Sequence, residues 1–130
     1  MSIRSLEEFK AWQKSRKLCQ DIYLLILSNP KITDLALKNQ INRSSGSVMD
    51  NLAEGLGRKT NNEFIQFLTI ALGSLYEVQS QLYRAVDRQY VRATNYEELV
   101  IQSEEISRMI VALIHKLKGA VAENQHNKRL

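Results

Sequence analysis

Residues 61–88 read Asn61-Asn62-Glu63-Phe64-Ile65-Gln66-Phe67-Leu68-Thr69-Ile70-Ala71-Leu72-Gly73-Ser74-Leu75-Tyr76-Glu77-Val78-Gln79-Ser80-Gln81-Leu82-Tyr83-Arg84-Ala85-Val86-Asp87-Arg88. At about 100° per residue, Phe64, Phe67, Leu68, Ala71, Leu75, Val78, Leu82 and Val86 share one stripe, the spacing of a helix that faces a core. Ile65, Leu72, Tyr76 and Tyr83 fall about 100° to one side and widen the apolar arc beyond that of an ordinary surface helix. That flank needs a cover, either a neighbouring helix of the same bundle or another subunit.

Working outward, Thr60 and Glu63 fit a capping box, in which a hydroxyl and a carboxylate satisfy free N–H groups at a helix start. Ser5 with Glu8 and Thr94 with Glu97 repeat the pattern. A further helix begins near Thr33-Asp34, because Pro30 stops the one before and the acid suits a helix N-terminus. The spacing therefore predicts helices over 6–27, 34–56, 61–88 and 95–121, with 122–130 as a flexible, frayed tail. Short connections make sequential helices antiparallel, so the expected fold is an all-α, up-down-up-down four-helix bundle in a single domain spanning 1–121. Within helix two, Ser44-Ser45-Gly46-Ser47 is a poor helix former. Gly46, like Gly73 in helix three, is read as a point where another helix approaches closely. Gly55 or Gly57 is expected to close helix two in the left-handed conformation.

Composition agrees. The 130 residues are 44% hydrophobic and 25% charged, as in ordinary globular domains. One Pro and five Gly are too few turn formers for a β-sandwich or barrel. A single cysteine, Cys19, cannot form an internal disulfide, and no Cys/His cluster offers a structural zinc site. Arg4, Glu7, Glu8 and Lys10 leave no apolar region for a secretory signal, and the longest apolar run, Tyr23–Leu27, is far short of a membrane span. A cytoplasmic protein without a membrane partner is expected. The net charge is +4, and all of it lies in the first half: residues 1–60 hold ten Lys/Arg against six Asp/Glu, residues 61–130 eight of each. Such asymmetry suits a surface that faces a polyanion.

Catalytic motifs are missing: the chain has no Gly-rich phosphate loop, no HExxH and no Gly-x-Ser-x-Gly elbow. Glu123-x-x-His126 has di-iron spacing, but the chain lacks the second copy and the partner glutamates, so no metal and no cofactor is expected. His115 is placed at the C-terminus of helix four, and Cys19 among the apolar residues of helix one. Asn42-Arg43-Ser44 has glycosylation spacing in a chain expected never to meet that machinery. Lys10, Lys14 and Lys17 line one side of helix one. Arg43, Arg58 and Lys59 form a second cationic group around helix two, and Arg84, Arg88 and Arg92 a third. In an antiparallel bundle the exit of helix two lies beside the start of helix one, bringing Lys10 toward Arg58-Lys59. Converging cations suit phosphate, and no base-reading set of side chains is evident, so sequence preference should be low.

Three segments, Gln40-Ile41-Asn42-Arg43-Ser44-Ser45-Gly46-Ser47-Val48, Asn51-Leu52-Ala53-Glu54-Gly55-Leu56-Gly57-Arg58 and Glu63–Glu77, resemble one bacterial family. These are the four-helix-bundle proteins encoded in intervening sequences of 23S ribosomal RNA genes. The resemblance runs from Phe9-x-x-Trp12 through Ile22-Tyr23 to Leu117-Lys118. It implies an antiparallel bundle assembled as a barrel-like homopentamer, with no known enzymatic activity. A structurally similar accessory protein of diversity-generating retroelements binds nucleic acid and a reverse transcriptase. Two departures stand out: Asn42-Arg43 where the family often has Arg-Arg, and Val48-Met49 where it often has Ile-Pro. The first removes a cation; the second leaves helix two smoother.

The expectation is a non-enzymatic oligomer, a pentamer joined through Ile65, Leu72, Tyr76 and Tyr83. Its basic surface, Lys10, Lys14, Lys17, Arg43, Arg58 and Lys59, would contact RNA or DNA. The alternative is a scaffold that binds a partner protein and no nucleic acid. Asn51, Glu54, Arg58 and Glu77 are read as a polar network serving either packing or a ligand.

Overall fold

The computed structural model describes residues 3–129, the side chains of 127–129 excepted. Four helices form an antiparallel bundle: α1 (Lys10–Ile22), α2 (Leu35–Leu56), α3 (Asn61–Asp87) and α4 (Ala93–Arg129). Consecutive helices pack on one another, and α4 closes the square against α1. The α2–α3 pairing is the most extensive. Leu18, Ile22, Ile41, Leu52, Leu68, Leu75, Leu82, Ile106 and Ile110 are fully buried along the common axis. Each contributes about 1.5–3 kcal/mol of transfer free energy. The stripe read on helix three faces this core, with Phe67 and Val86 only half-buried at its margins.

The helix ends depart from the reading in several places. Asp34 caps α2, its Oδ1 accepting from Leu37 N at 3.1 Å, and Thr60 caps α3, its Oγ1 accepting from Glu63 N at 3.2 Å. Ser5 makes no cap bond: residues Leu6–Glu8 form a separate 3-10 turn, and Glu8 Oε2 accepts from Arg4 N at 3.0 Å. Phe9, extended at φ −83° and ψ 96°, separates that turn from α1 and buries its ring. Thr94 lies inside α4, which begins at Ala93. At its far end α1 widens into a π turn, Tyr23–Leu27, closed by Ser28 N donating to Tyr23 O at 2.8 Å. Residues 122–129, read as tail, continue α4 as helix. His115 therefore lies well inside α4 and exposed, away from any terminal carbonyls.

No described glycine has positive φ, so neither Gly55 nor Gly57 is a left-handed cap. The left-handed residue is Gln89, at φ 61°. Tyr90 N donates to Ala85 O at 2.9 Å and Gln89 N to Val86 O at 3.0 Å, the pair of bonds that closes a helix with a left-handed residue. The close-approach reading of Gly46 and Gly73 is also corrected: a Cβ on either would meet nothing within 4 Å. Gly55 is the position that needs glycine, because a Cβ there would lie 2.9 Å from both Phe64 Cδ1 and Phe67 Cβ.

Candidate functional site

The six cations read as a nucleic-acid surface divide into two groups. Lys14 Nζ pairs with Glu105 on α4 at 2.9 Å, Lys17 Nζ with Asp21 at 2.7 Å, and Arg58 with Glu54 one turn back. Burial pushes the Asp21 carboxyl up, but hydrogen bonds from Lys17 and Gln102 outweigh it and hold the group below its ordinary value. Lys10, Arg43 and Lys59 are exposed and make no ion pair among the described residues. The pairs at Lys14 and Lys17 are exposed enough to be worth under about 1 kcal/mol, so a phosphate can exchange for the carboxylate.

Three of these cations do share one end of the bundle. The Phe9 ring, beside Lys10, meets Phe64 at the start of α3 edge-on, with centroids 6.0 Å apart. The Arg58 guanidinium lies over the Phe67 ring, 4.7 Å from its centroid, so the exit of α2 is tied to the same turn of α3. Lys59 follows in the connection. Lys116 on α4 joins them, lining a groove of about 270 Å³ with Leu56, Asn61 and Phe64. Sequence reading missed Lys116 because nothing in the spacing of α4 reports which of its lysines packs beside the α2–α3 turn. Arg43 stands apart: thirteen residues of helix, about 20 Å, separate it from the end of α2 at Leu56.

The third group has structural work. Arg88 Nη1 donates to Asp34 Oδ2 at 2.7 Å, and Tyr90 OH donates to the same oxygen at 3.1 Å. These bonds fasten the α3–α4 turn, with its left-handed Gln89, to the start of α2. The Asp34 carboxyl is held below its ordinary value, first by the Leu37 N–H and then, against burial, by Tyr90 and Arg88.

The polar network forms in part and in a different shape. Asn51 Nδ2 donates to Ser47 O at 2.8 Å and to Ser47 Oγ at 2.9 Å, and Ser47 Oγ meets Ser74 Oγ on α3 at 2.9 Å. Among the described residues Glu54 and Arg58 pair with each other, and Glu77 is exposed and takes no part. A second link, Ser44 Oγ to Gln81 Oε1 at 2.5 Å, is buried between the same helices. The small residues of α2 thus carry hydrogen bonds to α3 rather than a glycine contact.

Of the proposed interface residues, Ile65 and Leu72 are half-buried against the molecule's own core, whereas Tyr76 and Tyr83 are 59% and 58% exposed. Tyr83 rests on Tyr96 of α4 at a centroid distance of 5.1 Å. Burial, reinforced by Tyr83, pushes the Tyr96 phenol well above its ordinary value. Cys19 is half-buried, its Sγ–H donating to Ser45 O at 3.2 Å, and burial pushes its thiol up. It lines an open groove of about 710 Å³ between α1 and α2, with Arg16, Tyr23, Asn42, Gly46 and Met49 among its walls. Among the described residues no three His, Cys, Asp or Glu side chains converge as metal ligands, and no helix is long and apolar enough to cross a membrane.

No curated protein matches the sequence. A crystal structure of a protein of unknown function from the S23 ribosomal protein family of Bacteroides thetaiotaomicron is similar, with a TM-score of 0.71 and 24% identity. The match covers 80% of this chain and 97% of that one and shows the same fold. The family model described as 23S rRNA-intervening sequence protein matches residues 7–112. Most of the bundle lies within that span, and the chain belongs to the 23S rRNA-intervening sequence protein family.

Proposed function

We propose that this protein is a non-enzymatic cytoplasmic homo-oligomer, a pentamer, that binds RNA or DNA through its basic surface with little sequence preference. The observation that carries the reading is the gathering of Lys10, Arg58, Lys59 and Lys116 around one end of the bundle. Arg43, Lys14 and Lys17 extend the surface along α2 and α1. One protomer offers few phosphate contacts, and a symmetric ring multiplies them. A flexible single strand can follow such a repeated patch, whereas base identity has no reader in it.

Fluorescence anisotropy with a labelled single-stranded RNA tests the proposal. With about six phosphate contacts, affinity falls roughly a thousandfold between low and moderate salt. Each cation removed lowers the slope of log affinity against log salt by about one. Binding that ignores salt, or no binding at low salt, refutes it. The exposed Tyr76 and Tyr83 would then favour the second reading, a scaffold for a partner protein.

A further inference from the structure

Between the end of α1 and the first half of α4 lies a cleft of about 260 Å³ with none of the basic surface among its walls. Leu24, Leu25 and Leu99 form its apolar side, and Asp21, Asn95, Glu98 and Gln102 its polar side. Leu24 and Leu25 come from the π turn that ends α1, a widened turn of a kind often found at functional sites. Leu24 is 58% exposed, although Leu99 is fully buried. The hydrogen bonds here do not balance. Gln102 Nε2 donates to Asp21 Oδ2 at 2.9 Å, and because a carboxylate only accepts, that bond fixes which end of the amide is oxygen. Gln102 Oε1 is then buried and meets no donor among the described residues. Lys17 Nζ donates to the same Asp21 oxygen at 2.7 Å, so among the described residues Asp21 Oδ1 also lacks a donor. The Asp21 carboxyl, held below its ordinary value, is ionised at neutral pH. Glu98 is exposed and makes no ion pair among the described residues. Residues 93–107 carry four glutamates and no cation, a field that draws in positive charge.

We infer that this cleft binds a guanidinium group carried on an aliphatic stem. Asp21 Oδ1, Gln102 Oε1 and the Glu98 carboxylate are acceptors in want of donors, so the ligand that completes them donates and does not accept. A guanidinium has five N–H donors in one rigid plane and no acceptor. It can serve two carboxylates and a carboxamide oxygen from a single position, whereas an ammonium is a compact, strongly hydrated point charge. The stem accounts for the leucines: methylenes lie along Leu24 and Leu25 while the charged head keeps polar company. The size agrees, because the cleft is smaller than ordinary small-molecule pockets and takes a group no larger than a long side chain. A water could donate to Gln102 Oε1, but it brings no charge to Asp21 and Glu98 and nothing to cover Leu24. The two carboxylates also exclude the phosphates assigned to the basic surface, so this site stands whether or not RNA binds. Its chemistry is shared by a free guanidino compound and by an arginine side chain of a protein segment.

Titration of n-butylguanidinium into protein carrying carbon-13 leucine methyls tests the site, by a spectrum that tolerates a large oligomer. The Leu24, Leu25 and Leu99 methyls are expected to shift saturably, with a dissociation constant of about a millimolar for so small a ligand. n-Butylurea, flat and uncharged, is expected to bind at least about tenfold more weakly. Glu98→Gln should weaken n-butylguanidinium by about threefold and Gln102→Leu by about tenfold, with helical content unchanged by circular dichroism. A blocked tripeptide with a central arginine separates the sources. Tighter binding than n-butylguanidinium assigns the cleft to an arginine of a protein segment, and equal or weaker binding assigns it to a free guanidino compound. No saturable shift, equal binding of n-butylurea, shifts confined to leucines outside the cleft, or unchanged affinity in Gln102→Leu would overturn the inference.

Discussion

Replacing Gly55 with alanine sets two known effects against each other at one atom. Alanine is the better helix former by about 1 kcal/mol, so an unopposed substitution stabilises. Here the new methyl would lie 2.9 Å from Phe64 Cδ1 and 2.9 Å from Phe67 Cβ, well inside van der Waals contact. Neither atom gives way easily. Phe67 Cβ is one bond from the α3 backbone, and the Phe64 ring is buried edge-on against Phe9. Relief requires α2 and α3 to separate along their most extensive contact, and overpacking of this kind costs about 1–3 kcal/mol. The upper part of that range applies, so Gly55→Ala is expected to destabilise by about 1–2 kcal/mol net, a fall in Tm of about 4–8 °C for a chain of this size. Gly73→Ala, whose methyl would meet nothing within 4 Å, is expected to raise Tm by about 4 °C. Thermal melts followed by far-UV circular dichroism, at equal protomer concentration because assembly shifts Tm, compare the two. If Gly55→Ala melts at or above the parent, the close approach of α2 to α3 at this point is wrong.

Three further outcomes follow from single sites. Gln89→Gly should stabilise by about 0.5–1 kcal/mol, since glutamine at φ 61° bears a left-handed penalty that glycine does not, offset in part by unfolded-chain entropy; urea melts read it, and an unchanged or lower midpoint contradicts the turn geometry. Asp34 has a depressed pKa in the folded state, so its contribution is present above the ordinary carboxylate range and is lost as pH falls through the lower folded value; Asp34→Asn should lower stability at neutral pH and flatten the decline in acid, and a decline as steep as the parent's refutes the link. In RNA titrations at low salt, Lys59→Glu should weaken binding more than Lys14→Glu, because Lys14 already has Glu105 as partner; the reverse order would move the interface to the side of α1.

The bundle was legible because burial writes itself as periodicity: the eight-residue stripe from Phe64 to Val86 is, apart from its margins, the buried face of α3. Two of the helix starts, at Asp34 and Thr60, were legible through their cap side chains. Ser5 and Thr94 have the same local signature and no cap bond, because tertiary packing decides whether the chain enters a helix there. Phe9 goes into the core and turns the backbone out of helix, and α4 begins one residue before Thr94. The glycines misled for a related reason. Propensity says that a helical glycine needs a cause, but the cause at Gly55 is a pair of rings on another helix, and no spacing in α2 reports where those rings lie. The convergence of Lys10 with Arg58-Lys59 needed only antiparallel topology and was readable. The pairing of Lys14 with Glu105 depended on the facing of α1 and α4 and was not.

The buried polar links explain why the cationic end has a fixed shape. Ser44 with Gln81, and Asn51 with Ser47 and Ser74, lie at two levels between α2 and α3. A slip of one turn along either helix would leave buried hydroxyl and amide groups unpaired, at about 1–3 kcal/mol for each. Apolar residues alone would tolerate such a slip, because a leucine stripe offers a similar surface one turn further on. The polar links therefore set the register, and the register then dictates what happens at the end of α2. It brings the side-chain-free Gly55 against Phe64 and lays Arg58 over Phe67, one turn beyond. Arg58 is held by the ring beneath it as well as by Glu54, so its guanidinium keeps its place beside Lys59 even when the carboxylate is exchanged for a phosphate. Removing Gln81 with alanine should thus weaken RNA binding without touching a surface cation, through loss of register, and should do so more than Gln66→Ala, an exposed change on the same helix. Anisotropy on the two variants, with helical content checked by circular dichroism, decides it: equal affinities would detach the polar links from the interface.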